Sequence, residues 1–358
     1  MKILSLGLDI QALDPTSQVA FRIRLIGQLV DFYTVVVPAH SDTFVGLNNK
    51  AEVYAIGGSN KIVQLVKVAI FIYQIFKERN YDLVTVQDTY YLALVGWFVA
   101  WYFGKPLEIQ VHGFEKKTII RLLITRFIFK RANGIRVVSS RLKKLLVKKY
   151  HVDSNKIYVI PVGVKDMGEI ILKGNYKSHS PFNFLTVGRL APIKRIDFIV
   201  RALAKAFTVD DNFTFNIFGE GPERSNLESL VGRLNLDSKV NFLGYQKDLT
   251  DIYKNADAFL FSSKEEGWGL VLVEAALHGL PIVTTDVGLV GEVLVDDQDV
   301  KVVPFNNIEL FSQAIKNLYT DIYLREKLGQ SAHKKAMTIP KSEDVVESYI
   351  IAWQKLLR

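Results

Sequence analysis

The sequence predicts an α/β protein made of two open, doubly wound domains. Three observations predict it. In the first half, Val- and Ile-rich runs with little polar alternation recur between helical patterns, as strands buried on both faces of a parallel sheet do. Between residues 163 and 181 Gly, Lys, Ser and Asn dominate and the rhythm breaks. The same rhythm then restarts. At 358 residues the chain is long enough for two or three domains and a sizeable core.

The strand candidates of the first half are residues 2–8, 34–38, 52–56, 83–87, 107–111, 134–139 and 157–161. Helix candidates lie between them at residues 18–29, 61–78, 91–103, 117–130 and 140–149. The first helix follows Asp14-Pro15-Thr16-Ser17-Gln18, a run with the chemistry of an N-cap. Alternating strand and helix implies a doubly wound domain, whose ligands sit at the carboxyl ends of the strands. In the second half the strands are expected at residues 182–187, 213–218, 240–243, 258–261, 282–285 and 301–303. A last helix, residues 342–357, carries Val346, Tyr349, Ile350 and Trp353 at helical spacing. No strand follows it, so its apolar face must dock on something already folded. The expected division is a first domain over residues 1–165, a linker over 166–181, a second domain over 182–341 and a C-terminal helix over 342–358.

The chain has no Cys, which excludes disulfides and Cys-ligated metals and suits a reducing compartment. Its start reads as a strand broken at Gly7 and Asp9 rather than as a signal peptide. The longest apolar run, residues 92–104, is too short to span a bilayer. A cytoplasmic protein is expected. The net charge of +8 is uneven: residues 1–180 hold 25 Lys/Arg and 13 Asp/Glu, the remainder 20 and 24. The stretch bounded by Lys116 and Lys149 holds twelve basic residues and no acidic one. An anionic partner for the first half follows. In that stretch Ile119, Ile120, Leu123, Ile124, Phe127 and Ile128 form an apolar stripe among Arg121, Arg126, Lys130 and Arg131, and residues 141–150 repeat the arrangement. Basic amphipathic helices suit the surface of an anionic bilayer. The plain alternative is a core-facing stripe beneath a solvated charged face. No nucleic-acid motif is present, and nucleic acid is not expected as a partner.

The chain is organised around residues 262–292, SSKEEGWGLVLVEAALHGLPIVTTDVGLVGE. A strand feeds a polar loop with Glu266 and then Gly267-Trp268-Gly269, and a short apolar helix begins at Leu270. Gly279 and Pro281 end that helix. Small residues let backbone N–H groups approach a ligand, and a helix start turns its positive dipole end towards it. Glu266 before the helix and Glu274 one turn inside it straddle that start. The arrangement suits a sugar nucleotide, anionic in the middle and hydroxyl-rich at both ends. An ordinary strand–loop–helix unit is the alternative.

Other strand ends carry smaller signals. Gly188-Arg189-Leu190 with Lys194 places two cations in one loop, which could hold a diphosphate or be a solvated basic loop. Gly219-Glu220-Gly221-Pro222 permits a tight turn near a ligand, or is a plain turn. Phe242-Leu243-Gly244-Tyr245 ends a strand whose exposed backbone could read a base edge. His112 and Asp88 end two strands of the first half and could face a ligand or merely complete a wall.

Taken in order and spacing, GRL-x3-K, GEGP, FLG, EGWG within E-x7-E, EAALHGLPIV and a following GE make a set that resembles the family 4 glycosyltransferases. These are retaining enzymes of the two-domain GT-B fold. The likeness runs from about residue 130 to 305 and includes VVSS and KIYVIPVGV. It implies two Rossmann-like domains facing a central cleft, with the C-terminal helix returning to the N-terminal domain. It also implies roles. Arg189 and Lys194 would neutralise a donor diphosphate and stabilise the leaving group. Glu266 would bind the transferred sugar, and Glu274 would accept hydrogen bonds from the ribose. Gly188, Gly219 and the backbone of Gly267, Trp268, Gly269 and Leu270 would contact sugar and phosphate, with Leu243, Gly244 and Tyr245 flanking the base. His112 stands where the family has a functional His.

Departures from the family exist. Many members have a glycine pair in the first loop, where this chain has the Asp14-to-Gln18 run, and Arg195 stands where the family often has Gly. Asp297-Gln298-Asp299 matches a metal-binding D-x-D but reads as a polar turn, and this fold needs neither metal nor other cofactor. The resemblance implies transfer of a hexosyl group, with retention, from a UDP- or GDP-linked donor to a hydroxyl. The basic first half points to a lipid-linked acceptor at the inner membrane face, as in surface polysaccharide or glycolipid synthesis. A soluble sugar or glucan acceptor, or a non-catalytic scaffold on the same fold, are the other readings.

Overall fold

The computed structural model describes residues 1–113, 118–164, 176–208 and 210–358. The chain forms two units. The first comprises Met1–Asp166 and Pro340–Arg358, the second Met167–Ile339.

The first unit is built on an eight-stranded sheet. In chain order it has β1 (Lys2–Leu6), α1 (Gln18–Leu29), β2 (Phe32–Ala39), β3 (Thr43–Asn48), β4 (Ala51–Gly57), α2 (Lys61–Arg79), β5 (Leu83–Val86) and α3 (Tyr91–Tyr102). Then come β6 (Leu107–Val111), α4 (Ile119–Arg131), β7 (Gly134–Val137), α5 (Ser140–Tyr150) and β8 (Ile157–Val159). The strand order is β3-β4-β2-β1-β5-β6-β7-β8, parallel throughout except for β3. The sequence reading missed β3. It is a short edge strand turned back on β4, with most of its residues exposed, so it lacks the apolar run of its neighbours. Crossovers that run in opposite directions along a sheet lie on opposite faces. Accordingly α1 packs against the last helix, α12 (Ser342–Leu356), while α2, α3 and α4 lie side by side.

Caps fix the helix starts. Ser17 accepts the Ala20 N–H and Ser139 accepts the Leu142 N–H. The expected N-cap run before α1 is thus realised, and β7 ends before Ser139 because that residue caps α5. In α12, Val346, Tyr349 and Trp353 are buried against Ile23 and Ile26 of α1 and Tyr33 of β2. A single bridge between Val164 and Lys341 carries the chain back into this unit.

The second unit has β9 (Phe182–Val187), α6 (Ile196–Ala206), β10 (Phe213–Phe218), α7 (Arg224–Arg233), β11 (Val240–Gly244), α8 (Thr250–Lys254) and β12 (Ala258–Phe261). It continues with α9 (Leu270–Leu277), β13 (Ile282–Thr285), β14 (Lys301–Val303), α10 (Ile308–Thr320) and α11 (Ile322–Ala336). Its six strands are all parallel, in the order β11-β10-β9-β12-β13-β14. Phe182, Phe184, Phe213, Phe215 and Phe311 dominate its core.

The expected boundaries need two corrections. Residues 166–175 of the linker lie outside the described residues. Residues 176–181 are part of the second unit: the Tyr176 hydroxyl donates to the Gly279 carbonyl, Arg325 Nε donates to the Tyr176 carbonyl, and the His179 ring meets the buried Asp257 at 2.9 Å. Buried polar partners anchor a stretch whose Ser- and Lys-rich composition suggested a free connector. At the other end, Pro340 and Lys341 already belong to the first unit, so the second ends at Ile339.

Candidate functional site

In the second unit β9 is the first strand, and the chain moves from it to β10 and β11 on one side and to β12, β13 and β14 on the other. The loops after β9 and β12 therefore flank a topological switch point, where open α/β sheets bind ligands. Arg189 and Lys194 sit on the first of these loops and Glu266 on the second.

Side chains join the two loops. The Ser262 hydroxyl bonds to the carbonyls of Lys194 (2.9 Å) and Arg195 (2.7 Å), and that of Ser263 to Ile193 (3.3 Å). The Lys264 N–H donates to the Ile193 carbonyl at 2.8 Å. Both serines are buried. Across this seam Lys194 Nζ meets Glu266 Oε1 at 2.6 Å. The Arg189 side chain is exposed and has no hydrogen bond or ion pair among the described residues. The site thus offers one cation held by an acid and one free.

The turn Pro192–Lys194 ends at Arg195, which has φ 52 and ψ 38. This left-handed conformation favours Gly, and explains why a Gly would suit the position. The Arg195 side chain bonds to Asp197 (3.2 Å) and Asn306 (3.0 Å).

The turns after β9 and β10 are laced together. The Gly188 N–H donates to Phe218 and the Gly219 N–H to Gly244. A Cβ on Gly219 would lie 2.0 Å from the Gly188 carbonyl oxygen, so no other residue fits. The lacing brings Gly188, Gly219 and Gly244 to one edge of the sheet. Leu243 and Tyr245 flank the last of them and are exposed.

Glu266, Gly267, Trp268 and Gly269 lead into α9. Gly269 adopts φ 90 as the residue before the helix, and Leu270 is exposed. The Trp268 carbonyl accepts the Leu289 N–H at 2.9 Å, and a Cβ on Gly288 would stand 2.1 Å from that oxygen. The loop is thus clamped on the backbone after β13. Trp268 is buried, and among the described residues its Nε1 has no hydrogen-bond partner. The first N–H groups of α9 are orphan donors by construction, at the positive end of the helix dipole.

Glu274 lies one turn inside α9 and is half-buried. Its Oε2 accepts the Tyr253 hydroxyl at 2.8 Å. Burial raises the Glu274 pKa above its usual range, and the bond from Tyr253 opposes that shift. Tyr253 comes from α8, is almost wholly buried, and stacks on His278 with ring centroids 5.1 Å apart.

Two predicted residues lie in the first unit. His112 follows β6 and keeps an exposed surface. Arg136 Nη2 donates to its Nε2 at 3.2 Å, which requires that nitrogen to be unprotonated. Desolvation, followed by the charges of Arg136 and Arg22, holds the imidazole well below its usual pKa, so it is neutral at pH 7. His112 lines a small cavity of about 60 Å3 with Gln87, Gln110, Tyr349 and Trp353. Asp88 is buried, and its carboxylate accepts the Leu92 N–H at 2.9 Å in the first turn of α3. The structure therefore gives Asp88 a capping contact rather than an open face. Asp299 of the D-x-D run is fully buried and accepts from Val295 N–H and the Ser331 hydroxyl, while Asp297 pairs with Lys301. That run is a turn, as its sequence suggested.

The loops therefore bring Lys194 and Glu266 into contact and set Arg189, the glycine turns and the start of α9 on the same unit. Tyr253, Ser262 and Ser263 complete the arrangement and escaped the sequence reading. The serine pair sits in the quoted motif, where a buried hydroxyl is indistinguishable from a solvated one. Tyr253 had no signal, sitting in the polar stretch Thr250-Asp251-Ile252-Tyr253-Lys254. Cations, free N–H groups and a carboxylate suit an anionic, hydroxyl-rich ligand.

The family model described as Glycosyltransferase Family 4 matches residues 32–166, and that described as Glycosyl transferases group 1 matches residues 169–335. The UDP-N-acetylglucosamine–peptide N-acetylglucosaminyltransferase GtfA subunit of Limosilactobacillus reuteri is 30% identical over 233 residues, 62% of this chain and 43% of that protein. The chain spans less than half the length of this and the other first curated relatives it matches. The UDP-Gal:alpha-D-GlcNAc-diphosphoundecaprenol alpha-1,3-galactosyltransferase of Escherichia coli is 26% identical over 281 residues, 73% of this chain and 72% of that protein. Among solved structures, Anabaena HepE in complex with UDP superposes with a TM-score of 0.79 at 18% identity, covering 99% of this chain and 100% of that one. A sucrose-phosphate synthase from Thermosynechococcus elongatus gives 0.84 at 17%, covering 99% of both chains. At such identities the structures speak for the fold alone.

Proposed function

Because the chain belongs to the group 1 and family 4 glycosyltransferases, we propose that it moves a hexosyl group, with retention, from a nucleoside diphosphate donor to a hydroxyl. The observation that carries this reading is the seam between the β9 and β12 loops, where Lys194 meets Glu266 at 2.6 Å beside a free Arg189. Arg189, Lys194 and the N–H groups at the start of α9 bind the diphosphate. They neutralise the charge that grows on its oxygen as the bond to the anomeric carbon breaks. Glu266 binds the sugar hydroxyls, and Glu274 accepts the ribose hydroxyls. The acceptor oxygen attacks the anomeric carbon on the face the diphosphate leaves, and its proton passes to the departing phosphate oxygen. Positioning and charge stabilisation then supply most of the rate. No metal is needed in this scheme. His112, neutral, serves as a hydrogen-bond partner for substrate.

A UDP-linked donor is favoured, because the L. reuteri and E. coli relatives are named for UDP-linked donors. A lipid-linked acceptor is favoured by the E. coli relative, named for a diphosphoundecaprenol acceptor and matched over most of both chains. It is also favoured by the basic stretch bounded by Lys116 and Lys149. This reading places the enzyme on the cytoplasmic face of a membrane, in polysaccharide or glycolipid assembly. Among the described residues no helix is long and apolar enough to cross a membrane.

The test is a thermal-shift screen of UDP- and GDP-sugars, since a ligand of the folded state raises its stability by mass action. A UDP-hexose should give the largest shift, and Glu274→Ala should abolish it. Acceptor assays with and without detergent-solubilised lipid, with EDTA present, then separate lipid-linked from soluble acceptors and test metal independence. Silence with every nucleotide sugar would leave a non-catalytic scaffold.

A further inference from the structure

The outer face of α3 has no polar cover. The helix, YLALVGWFVAWY, contains no charged residue. Its inner face buries Leu92, Ala93, Gly96, Val99 and Ala100, yet Phe98, Trp101 and Tyr102 are 51%, 65% and 54% exposed. A helix with one face in water ordinarily carries polar residues there, and a helix apolar all round is ordinarily covered. The apolar surface continues onto both neighbours. Tyr73 of α2 packs 5.5 Å from Tyr102, and α2 goes on to expose Val66 and Ile70. Phe127 of α4 meets Trp97 at 4.7 Å, and α4 exposes Leu123.

Charge decides what covers this face. The three helices together hold eight cations, Lys61, Lys67, Lys77 and Arg79 on α2 and Arg121, Arg126, Lys130 and Arg131 on α4, against a single acid, Glu78. Several cations lie over the aromatic rings: Arg131 is 3.6 Å from the Phe127 centroid, Arg121 is 5.1 Å from Tyr90 and Lys77 is 4.6 Å from Tyr73. Long cationic side chains laid along rings, with their heads in water, are suited to the headgroup zone of a bilayer, where Trp and Tyr also concentrate. A second copy of the chain is a poor occupant, since two such faces would set like charges against each other.

We propose that α2, α3 and α4 form one face that docks on an anionic lipid bilayer, with Phe98, Trp101 and Tyr102 entering the headgroup region. At 12 residues α3 is about 18 Å long, too short to span, so it lies in the surface. The inference rests on the membrane-bound acceptor reading for its purpose, not for its evidence. It also moves the membrane contact. In α5, Leu142, Leu146 and Tyr150 are buried under exposed Lys144, Lys148 and Lys149, the ordinary pattern of a solvated basic face. That helix adds charge, and α3 supplies the apolar hold.

The experiment is co-sedimentation of the full chain with phosphatidylcholine vesicles, with and without phosphatidylglycerol. Binding is expected with the anionic lipid only. Phe98→Ser combined with Trp101→Ser should weaken it about tenfold or more, while Lys144→Ser with Lys148→Ser should weaken it less than about threefold. Quenching of tryptophan fluorescence by brominated lipid should be largely lost in Trp101→Phe, a readout that does not depend on a destabilising variant. Vesicle binding at the parental level in the Phe98/Trp101 variant, or quenching unchanged in Trp101→Phe, would overturn the proposal. So would a lipid-free dimer that the same double variant dissolves. A chain that binds vesicles but no nucleotide sugar would sink the transfer reading and leave this one standing.

Discussion

Tyr253 and Glu274 meet from different helices, hydroxyl to carboxylate, at 2.8 Å. The contact is locked from behind. His278, one turn further along α9, stacks on the Tyr253 ring and bonds through Nδ1 to the Glu274 carbonyl at 2.8 Å. A half-buried carboxylate held this way is oriented before any ligand arrives, which lowers the ordering cost of binding.

A pH prediction follows from that contact. Burial raises the Glu274 pKa above its usual 4.5, so a ligand that needs the carboxylate loses affinity on acidification earlier than an ordinary Glu would allow. Tyr253→Phe removes the bond that opposes the shift, so the acid limb of UDP binding should move further up. The carboxylate also loses the partner that orients it, so affinity at neutral pH should fall as well. Stability runs the other way. An acid whose folded pKa is raised loses folded-state stability as pH rises from its unfolded value through its folded one. Glu274→Gln should therefore melt higher than the parent at neutral pH while binding UDP worse. Calorimetric titration of UDP between pH 4 and 8, with melting curves, checks both halves. A parental acid limb in Tyr253→Phe would refute the orienting role.

The loop cations should separate kinetically. Among the described residues Arg189 has no partner to lose, so Arg189→Ala should leave the fold intact and lower kcat about 100- to 1000-fold, the usual cost of one group that stabilises developing negative charge. Lys194→Ala does more, because it also strips the counter-ion from Glu266, whose side chain is only 15% exposed. The bare carboxylate would repel a diphosphate, so donor KM should rise as well. Lys194→Ala with Glu266→Ala should recover part of that KM loss and none of the kcat loss, a non-additivity expected for residues in contact. Steady-state kinetics of the four proteins decide it.

Arg195 carries a conformational cost. A non-Gly residue in left-handed geometry costs about 1 kcal/mol or slightly more. Arg195→Gly removes that strain and forfeits the bonds to Asp197 and Asn306, so net stability should change by less than about 1 kcal/mol. Arg195→Val keeps the strain, adds β-branching and loses the same bonds, so it should be clearly less stable than Arg195→Gly. Denaturant midpoints measure the difference. Equal midpoints would mean that the turn relaxes out of the left-handed region.

Much of this was legible in the sequence because both sheets, β3 aside, are parallel and buried. β6, β9, β10, β12, β13 and β14 appear to the residue where strand-forming, largely apolar or β-branched runs placed them, and the carboxyl ends of β9 and β12 carry the quoted motifs. β3 was hidden because an exposed edge strand needs no apolar run. Asp88 was ambiguous because a strand-end carboxylate reads the same whether it faces a ligand or caps the next helix. Tyr253 and the Ser262–Ser263 pair were invisible for a related reason: what they do depends on partners brought near by folding, a carboxylate for Tyr253 and backbone carbonyls for the serines, from residues about twenty to seventy positions away. The basic stretch drew the eye to α4 and α5. Spacing alone could not tell that α5 buries its apolar side while α3, with no charge to draw attention to it, leaves aromatic rings in the open.

The last helix was expected to dock on folded structure, and its anchor makes a strong prediction. Trp353 is 1% exposed and stacks on Tyr33 of β2 with centroids 6.0 Å apart. Among the described residues its Nε1 has no hydrogen-bond partner, so the ring is held by packing. Replacing a buried Trp by Ala leaves a cavity and typically costs about 3–5 kcal/mol. Trp353→Phe keeps most of the volume and removes the orphan donor, whose burial is itself unfavourable. Trp353→Phe should therefore lose far less than Trp353→Ala, with the two compared by urea unfolding. Ending the chain after Pro340 would strip α12 from Ile23, Ile26 and Tyr33 and expose their apolar surface. A truncated protein that stayed monomeric and melted like the parent would show that the first unit is complete without its returning helix.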